Sequence, residues 1–82
     1  MPTTQTIQER IVDVIASEIG CDESEVIPDA HLVNDLGADS LDMAELSLAL
    51  EEEFEIVIPD EQCEKLKTVQ DIITYVEKRT GK

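Results

Sequence analysis

Ile7, Ile11, Ile15 and Ile19 recur every four residues, and no apolar run in the chain exceeds three, as in Val14-Ile15-Ala16 or Ile56-Val57-Ile58. These two facts decide most of what the chain can fold into. A four-residue spacing stacks side chains on one face of an α-helix, whereas a half-buried strand needs strict alternation. Runs this short predict neither a bilayer-spanning segment nor a signal peptide, so a soluble, cytoplasmic protein is expected. Thr6 and Glu9 make a T-x-x-E capping box ahead of the first helix, Val12 and Val14 support its apolar face, and Gly20 stops it. Met1 to Gln5 are expected to fray.

From Cys21 to Ala38 the period is lost. Pro28, Asp29, Asn34 and Gly37 punctuate this stretch, while Val26, Ile27, Leu32, Val33 and Leu36 could anchor it on a core. The period returns from Ser40 to Phe54. At about 100° per residue, Met43, Leu46, Leu50 and Phe54 share a core-facing side. Leu41, Ala44 and Leu48 fall on the other side, among Glu45, Glu51, Glu52 and Glu55. Ile56 to Pro59 read as a short extended connection. A short third helix should run from Asp60-Glu61 through Cys63 and Leu66, closed by Lys65 and Lys67. Thr68 with Asp71 then opens a last helix carrying Val69, Ile72, Ile73, Tyr75 and Val76, with Lys78 and Arg79 at its end before Gly81. The expected fold is all-α: one domain over residues 1–82, a small bundle of three longer helices and one short helix, with a long first loop.

Loop and second helix meet at Asp35-Leu36-Gly37-Ala38-Asp39-Ser40-Leu41-Asp42. Asp39 is a good N-cap, and Asp42 follows three residues later, where unpaired N–H groups and the positive end of the helix dipole favour acids. Gly37 permits a bend that a residue with a Cβ resists. Ser40 then sits at the first helical position, beside backbone donors that would stabilise a phosphodiester on its hydroxyl.

Charge narrows the function further. The net formal charge is −14, and seventeen acids but no Lys or Arg lie between Arg10 and Lys65. Such a surface repels nucleic acid and anionic membranes and attracts basic protein surfaces over about 8 Å, the Debye length at physiological salt. On the second helix, Asp39/Asp42, Asp42/Glu45 and Glu51/Glu55 are like-charge neighbours, and Glu51, Glu52 and Glu53 lie toward the negative end of the dipole. Apolar Leu41, Ala44 and Leu48 ringed by these acids read as a docking patch for a partner that supplies Lys and Arg. Catalytic parts are scarce. His31 could serve as a base for Ser40, but no triad, EF-hand loop or glycine-rich phosphate loop is present. Cys21 and Cys63 have neither disulfide-scaffold nor metal-ligand spacing, so no metal site is expected.

The chain resembles the acyl carrier proteins of the freestanding type used in dissociated fatty acid synthesis. The likeness runs from Thr6 to Lys78 and is carried by the 35–42 stretch, then Glu45-Leu46, Ala49-Leu50-Glu51-Glu52-Glu53-Phe54, Ile58-Pro59-Asp60-Glu61, Glu64-Lys65 and Thr68-Val69-Gln70. It implies a non-catalytic carrier in which a phosphopantetheinyl transferase (holo-ACP synthase), using coenzyme A and magnesium, attaches 4′-phosphopantetheine to Ser40. Acyl groups would ride on the arm's thiol as thioesters. It also implies docking of a monomer on basic patches of fatty acid synthase enzymes and acyltransferases, through Asp39, Asp42, Glu45, Glu51 and Glu52 with Leu41, Ala44 and Leu48. Acyl chains would be sheltered between the helices, with Met43, Leu46, Leu50, Ile58, Leu66, Ile72 and Tyr75 as candidate lining residues.

Three positions depart from the family pattern. Ser47 stands where an apolar residue is usual and could hydrogen-bond to the preceding turn. Val57 is apolar where a polar residue is common, and Cys63, in place of a small alanine, is expected to be a buried hydrophobe. These bear on acyl preference rather than on Ser40. A carrier for polyketide, D-alanyl or lipid A chemistry, an acidic structural subunit and an acidic nucleic-acid mimic are the rival readings.

Overall fold

The computed structural model describes residues 6–80; the expected fraying of Met1 to Gln5 and the stop at Gly81 lie outside them. Helix α1 runs Ile7–Ile19, α2 Ser40–Phe54, α3 Asp60–Cys63 and α4 Val69–Thr80. There is no strand among the described residues, and the order of three longer helices and one short one is as the periodicity predicts.

Local chemistry sets each boundary. In α1 the Thr6 hydroxyl accepts from the Glu9 N–H at 3.2 Å and Glu9 Oε1 accepts from the Thr6 N–H at 3.0 Å. Gly20 closes the helix at φ 86°, a left-handed conformation that disfavours any residue with a Cβ. Thr68 and Asp71 repeat this reciprocal cap on α4, with the Asp71 carboxylate also accepting from the Lys67 N–H at 3.0 Å. Helix α2 is capped after Phe54 by Glu55, which adopts φ 55° while its N–H bonds the Glu51 carbonyl. Helix α3 stops at Cys63, shorter than expected. Lys65 and Lys67 therefore lie beyond it, while Leu66 is buried in the following turn.

Helix α1 packs against both α2 and α4. Ile11, Ile15, Leu46, Leu50, Ile72 and Val76 form the closed centre of the core, and Met43 and Phe54 pack on it only partly buried. Arg10 joins α1 to the end of α2. Its guanidinium meets the Glu53 carboxylate at 2.9 Å, donates to the Glu53 carbonyl at 3.0 Å and lies 4.6 Å above the Phe54 ring.

The long connection is more ordered than its composition suggests. A 3-10 turn occupies Glu23–Glu25, and His31 pairs with Thr68 in an antiparallel bridge. Leu32 N–H donates to the Lys67 carbonyl and Val69 N–H to that of Ala30, at 2.9 and 3.1 Å. This backbone pairing turns Val26, Ala30, Leu32 and Ala38 inward. Ile27 and Val33, expected as anchors, are instead 53% and 49% exposed.

The 3-10 turn carries a titration consequence. A hydrogen bond with the Asp13 carboxyl, reinforced by its charge, raises the Glu23 pKa. A raised acid binds its proton more tightly in the folded chain, so stability falls as pH rises from the ordinary glutamate value through the raised one. Glu23→Gln is expected to melt above the wild type at neutral pH, with the gap closing in acid. Thermal melts at both pH values check this, and an unchanged gap would rule it out.

Candidate functional site

The handover into α2 is tightly built. Gly37 adopts φ 78°, and its N–H donates to the Val33 carbonyl at 3.1 Å while Ala38 N–H reaches the Leu32 carbonyl at 3.0 Å. Asp39 caps the helix: its Oδ1 accepts from Asp42 N–H at 2.8 Å, and Asp42 Oδ2 accepts from Asp39 N–H at 3.2 Å. The two acids, unfavourable neighbours by charge, thus both meet backbone donors. Ser40 follows, exposed, its hydroxyl bonded to nothing among the described residues. A serine in this position fits an arm attached through phosphate. Its oxygen is accessible, and the adjoining N–H groups of the first turn lack helical acceptors.

Ser40 lies on a cleft of about 700 Å³ between α2, α3 and the 31–33 segment. Leu32, Met43, Ile58 and Leu66 make its apolar walls, Ser47 and Cys63 also line it, and Ala44, Leu48 and Asp60 stand at exposed positions along it. Of the seven residues named for an acyl pocket, Met43, Ile58 and Leu66 are in these walls. Leu46, Leu50 and Ile72 are buried in the core and line no part of the cleft. Tyr75 also lies elsewhere, donating its hydroxyl to the Val57 carbonyl at 3.0 Å. Leu32 and Val33 are lining residues that helical spacing did not reveal; the bridge to Thr68 brings them there.

His31 also lines the cleft, but its Nδ1 accepts from the Val33 and Asn34 N–H groups at 3.3 and 3.2 Å. A neutral ring in that arrangement carries its proton on Nε2 and offers Ser40 no lone pair. Cys63 is half-buried rather than a core hydrophobe, and Ser47 donates to the Met43 carbonyl at 3.0 Å, the bond to the preceding turn that its position suggested. Burial first, then the charge of Glu25, raises the Cys21 thiol pKa and keeps it protonated at neutral pH.

The outward face of α2 carries Leu41 and Leu48, 65% and 60% exposed, with Ala44, Glu45 and Glu52 exposed beside them. Glu51 is different: half-buried, its carboxylate accepts from the Ile58 N–H at 2.7 Å and holds the connection to α3. Together with Glu53, bound by Arg10, it shows why acids sit at the unfavourable end of this helix dipole. Two of the three have partners within the chain. Among the described residues no helix is long and apolar enough to cross a membrane, and no cluster of His, Cys, Asp and Glu could hold a metal ion.

Residues 9–76 match the family model described as a phosphopantetheine attachment site. An acyl carrier protein of Bdellovibrio bacteriovorus is 51% identical over 73 residues, covering 89% of this chain and 94% of that protein. One of Syntrophobacter fumaroxidans is 51% identical over 72 residues, covering 88% and 89%. With the helical architecture and the exposed serine at the head of α2, this likeness along nearly the whole length shows that the chain belongs to the acyl carrier proteins, non-catalytic carriers of 4′-phosphopantetheine.

Proposed function

We propose that Ser40 bears the 4′-phosphopantetheine arm and that the protein carries growing acyl chains to the enzymes of fatty acid biosynthesis in the cytoplasm. The observation that carries this reading is the place of Ser40: an exposed, unengaged hydroxyl at the first position of α2, beside an apolar cleft. In the loading step Ser40 Oγ attacks the phosphorus next to the pantetheine of coenzyme A and loses its proton. The pyrophosphate bond breaks, and adenosine 3′,5′-bisphosphate leaves. The base belongs to the phosphopantetheinyl transferase, since His31 has its acceptor nitrogen occupied. Once attached, the arm supplies a thiol on which acyl groups are held as thioesters.

The exposed side of α2 suits brief visits to many enzymes. Leu41, Ala44 and Leu48 supply apolar contact, and Asp39, Asp42, Glu45 and Glu52 steer basic patches and orient the encounter. Glu51 serves chiefly through its bond to Ile58, which shapes the cleft behind that surface. Met43, Ile58 and Leu66 shelter the acyl chain, and the carrier works as a monomer.

The test is reconstitution. The protein is incubated with coenzyme A, magnesium and a phosphopantetheinyl transferase. Acetyl-CoA, malonyl-CoA, NADPH and the separate enzymes of fatty acid synthesis follow. Intact mass should show one added phosphopantetheine and then a ladder of saturated acyl groups growing in two-carbon steps. An arm that loads but never extends would assign the chain to a specialised acyl pathway, and no arm on the folded protein would overturn the carrier site.

A further inference from the structure

Two side chains from different helices close on a single peptide group in the connection between α2 and α3. The Val57 carbonyl accepts from the Tyr75 hydroxyl at 3.0 Å, and the Ile58 N–H, on the other side of the same plane, donates to the Glu51 carboxylate at 2.7 Å. Among the described residues no other side chain bonds the backbone from Ile56 to Pro59. Arg79 backs the tyrosine: its Nε donates to the hydroxyl oxygen at 3.2 Å, and its guanidinium lies 5.2 Å from the ring centre. Donors and acceptors therefore run in one direction, from Arg79 through Tyr75 and the peptide to Glu51, with a cation at one end and a carboxylate at the other. Each bond in such a chain polarises and strengthens the next. The helices carrying the two side chains are rooted in the core, α2 by Leu46 and Leu50 and α4 by Ile72, Ile73 and Val76. By contrast, α3 has neither a buried residue nor a side-chain cap.

We propose that Glu51 and Tyr75 are positioning residues for acyl sheltering, holding Ile58 in the cleft wall through its peptide group, an inference that rests on the reading of the cleft as the acyl shelter. Ile58 is 6% exposed and lines the cleft, whereas Val57 is 71% exposed and lies outside the lining. The clamped plane joins these two residues. Turning it changes ψ of Val57 and φ of Ile58 together, and so moves the Ile58 side chain relative to the wall. Tyr75 thus acts on the cleft without lining it. The residue type at position 57 matters little to the clamp, since the bond uses the backbone carbonyl. Glu51 takes part as a hydrogen-bond acceptor, a role that an uncharged oxygen can also fill.

The test compares the wild type with Tyr75→Phe, Glu51→Ala and Glu51→Gln, each unloaded and with octanoyl held on the arm through a non-hydrolysable amide. Tyr75→Phe keeps the ring and removes only the hydroxyl; Glu51→Gln keeps an oxygen acceptor without the charge. Hydrogen exchange at the Ile58 amide is read in the unloaded proteins, with the buried Ile15 of α1 as the control for global stability. It should quicken about tenfold in Glu51→Ala, which loses the acceptor, and less in Tyr75→Phe, which does not touch that N–H but loosens its peptide. Glu51→Gln should stay near the wild type. Octanoyl should raise the melting temperature of the wild type. That gain, taken against the unloaded form of the same variant, should shrink in Tyr75→Phe and Glu51→Ala and persist in Glu51→Gln. Intact mass is read first. An arm that does not attach at Ser40, or a wild type whose melting temperature ignores octanoyl, overturns the attachment or the shelter reading and this inference with it. Loaded proteins in which Tyr75→Phe keeps the full gain, or Glu51→Gln loses as much as Glu51→Ala, overturn the positioning role alone. Ile58 exchange that Tyr75→Phe leaves unchanged does the same.

Discussion

Ser40→Ala is expected to take up no phosphopantetheine under conditions that convert the wild type completely, while folding as the wild type does. The loss should be total because the hydroxyl oxygen is the atom that forms the bond to phosphorus. Retention of the fold follows from the local geometry. The hydroxyl is exposed and bonds to nothing among the described residues, and the cap that starts α2 is made by Asp39 and Asp42. Alanine is also the best helix former, so stability should stay within about 0.5 kcal/mol of the wild type. Intact mass gives the modification and a thermal melt gives the fold. None of the other three serines stands at the head of a long helix: Ser47 is half-buried and committed to the Met43 carbonyl, Ser17 lies within α1, and Ser24 lies within the 3-10 turn. An arm appearing on the alanine variant would move the site elsewhere and remove the main reason for assigning the cleft to acyl chains.

Leu46→Ala should be among the most damaging single truncations on α2, together with Leu50→Ala, and Leu48→Ala, two residues along from Leu46, nearly silent. Leu46 is 1% exposed at the centre of the core, whereas Leu48 is 60% exposed on the outward side of the helix. Emptying a buried leucine site removes transfer free energy and leaves a cavity that neighbours fill only in part, together about 2–5 kcal/mol. A domain this small has only roughly 4–12 kcal/mol in all, so the variant approaches the limit of folding. Its melting temperature should fall by roughly 10–30 °C, against a degree or two for Leu48→Ala. The sharper consequence is functional. Leu48→Ala should melt normally yet lose affinity for a basic partner enzyme, a separation measurable by calorimetry and titration on the same samples. Equal stability losses at the two positions would contradict the assignment of faces.

Much of this molecule is legible in its sequence because its helices are written locally. The isoleucine spacing of α1, the boxes Thr6/Glu9 and Thr68/Asp71 and the cap at Asp39 all act across three or four residues, so the partners lie side by side in the chain. The place of Ser40 at a helix start is of the same kind. Spacing alone also separated Leu46 from Leu48, since one helix turn decides which side each occupies.

What spacing could not decide depends on segments far apart in sequence. Ile27 and Val33 looked like anchors, but the pairing of His31 with Thr68 sets which loop residues turn inward. The acids at the end of α2 looked unpartnered until Arg10, forty-three residues away, closed on Glu53 and the Ile58 N–H met Glu51. Leu46, Leu50 and Ile72 share the apolar character of Met43, Ile58 and Leu66, yet only the latter line the cleft beside Ser40. Hydrophobicity tells that a side chain leaves water. Whether it ends in a closed core or on a cleft wall depends on which other element stands opposite, and that choice is made only when the whole chain packs.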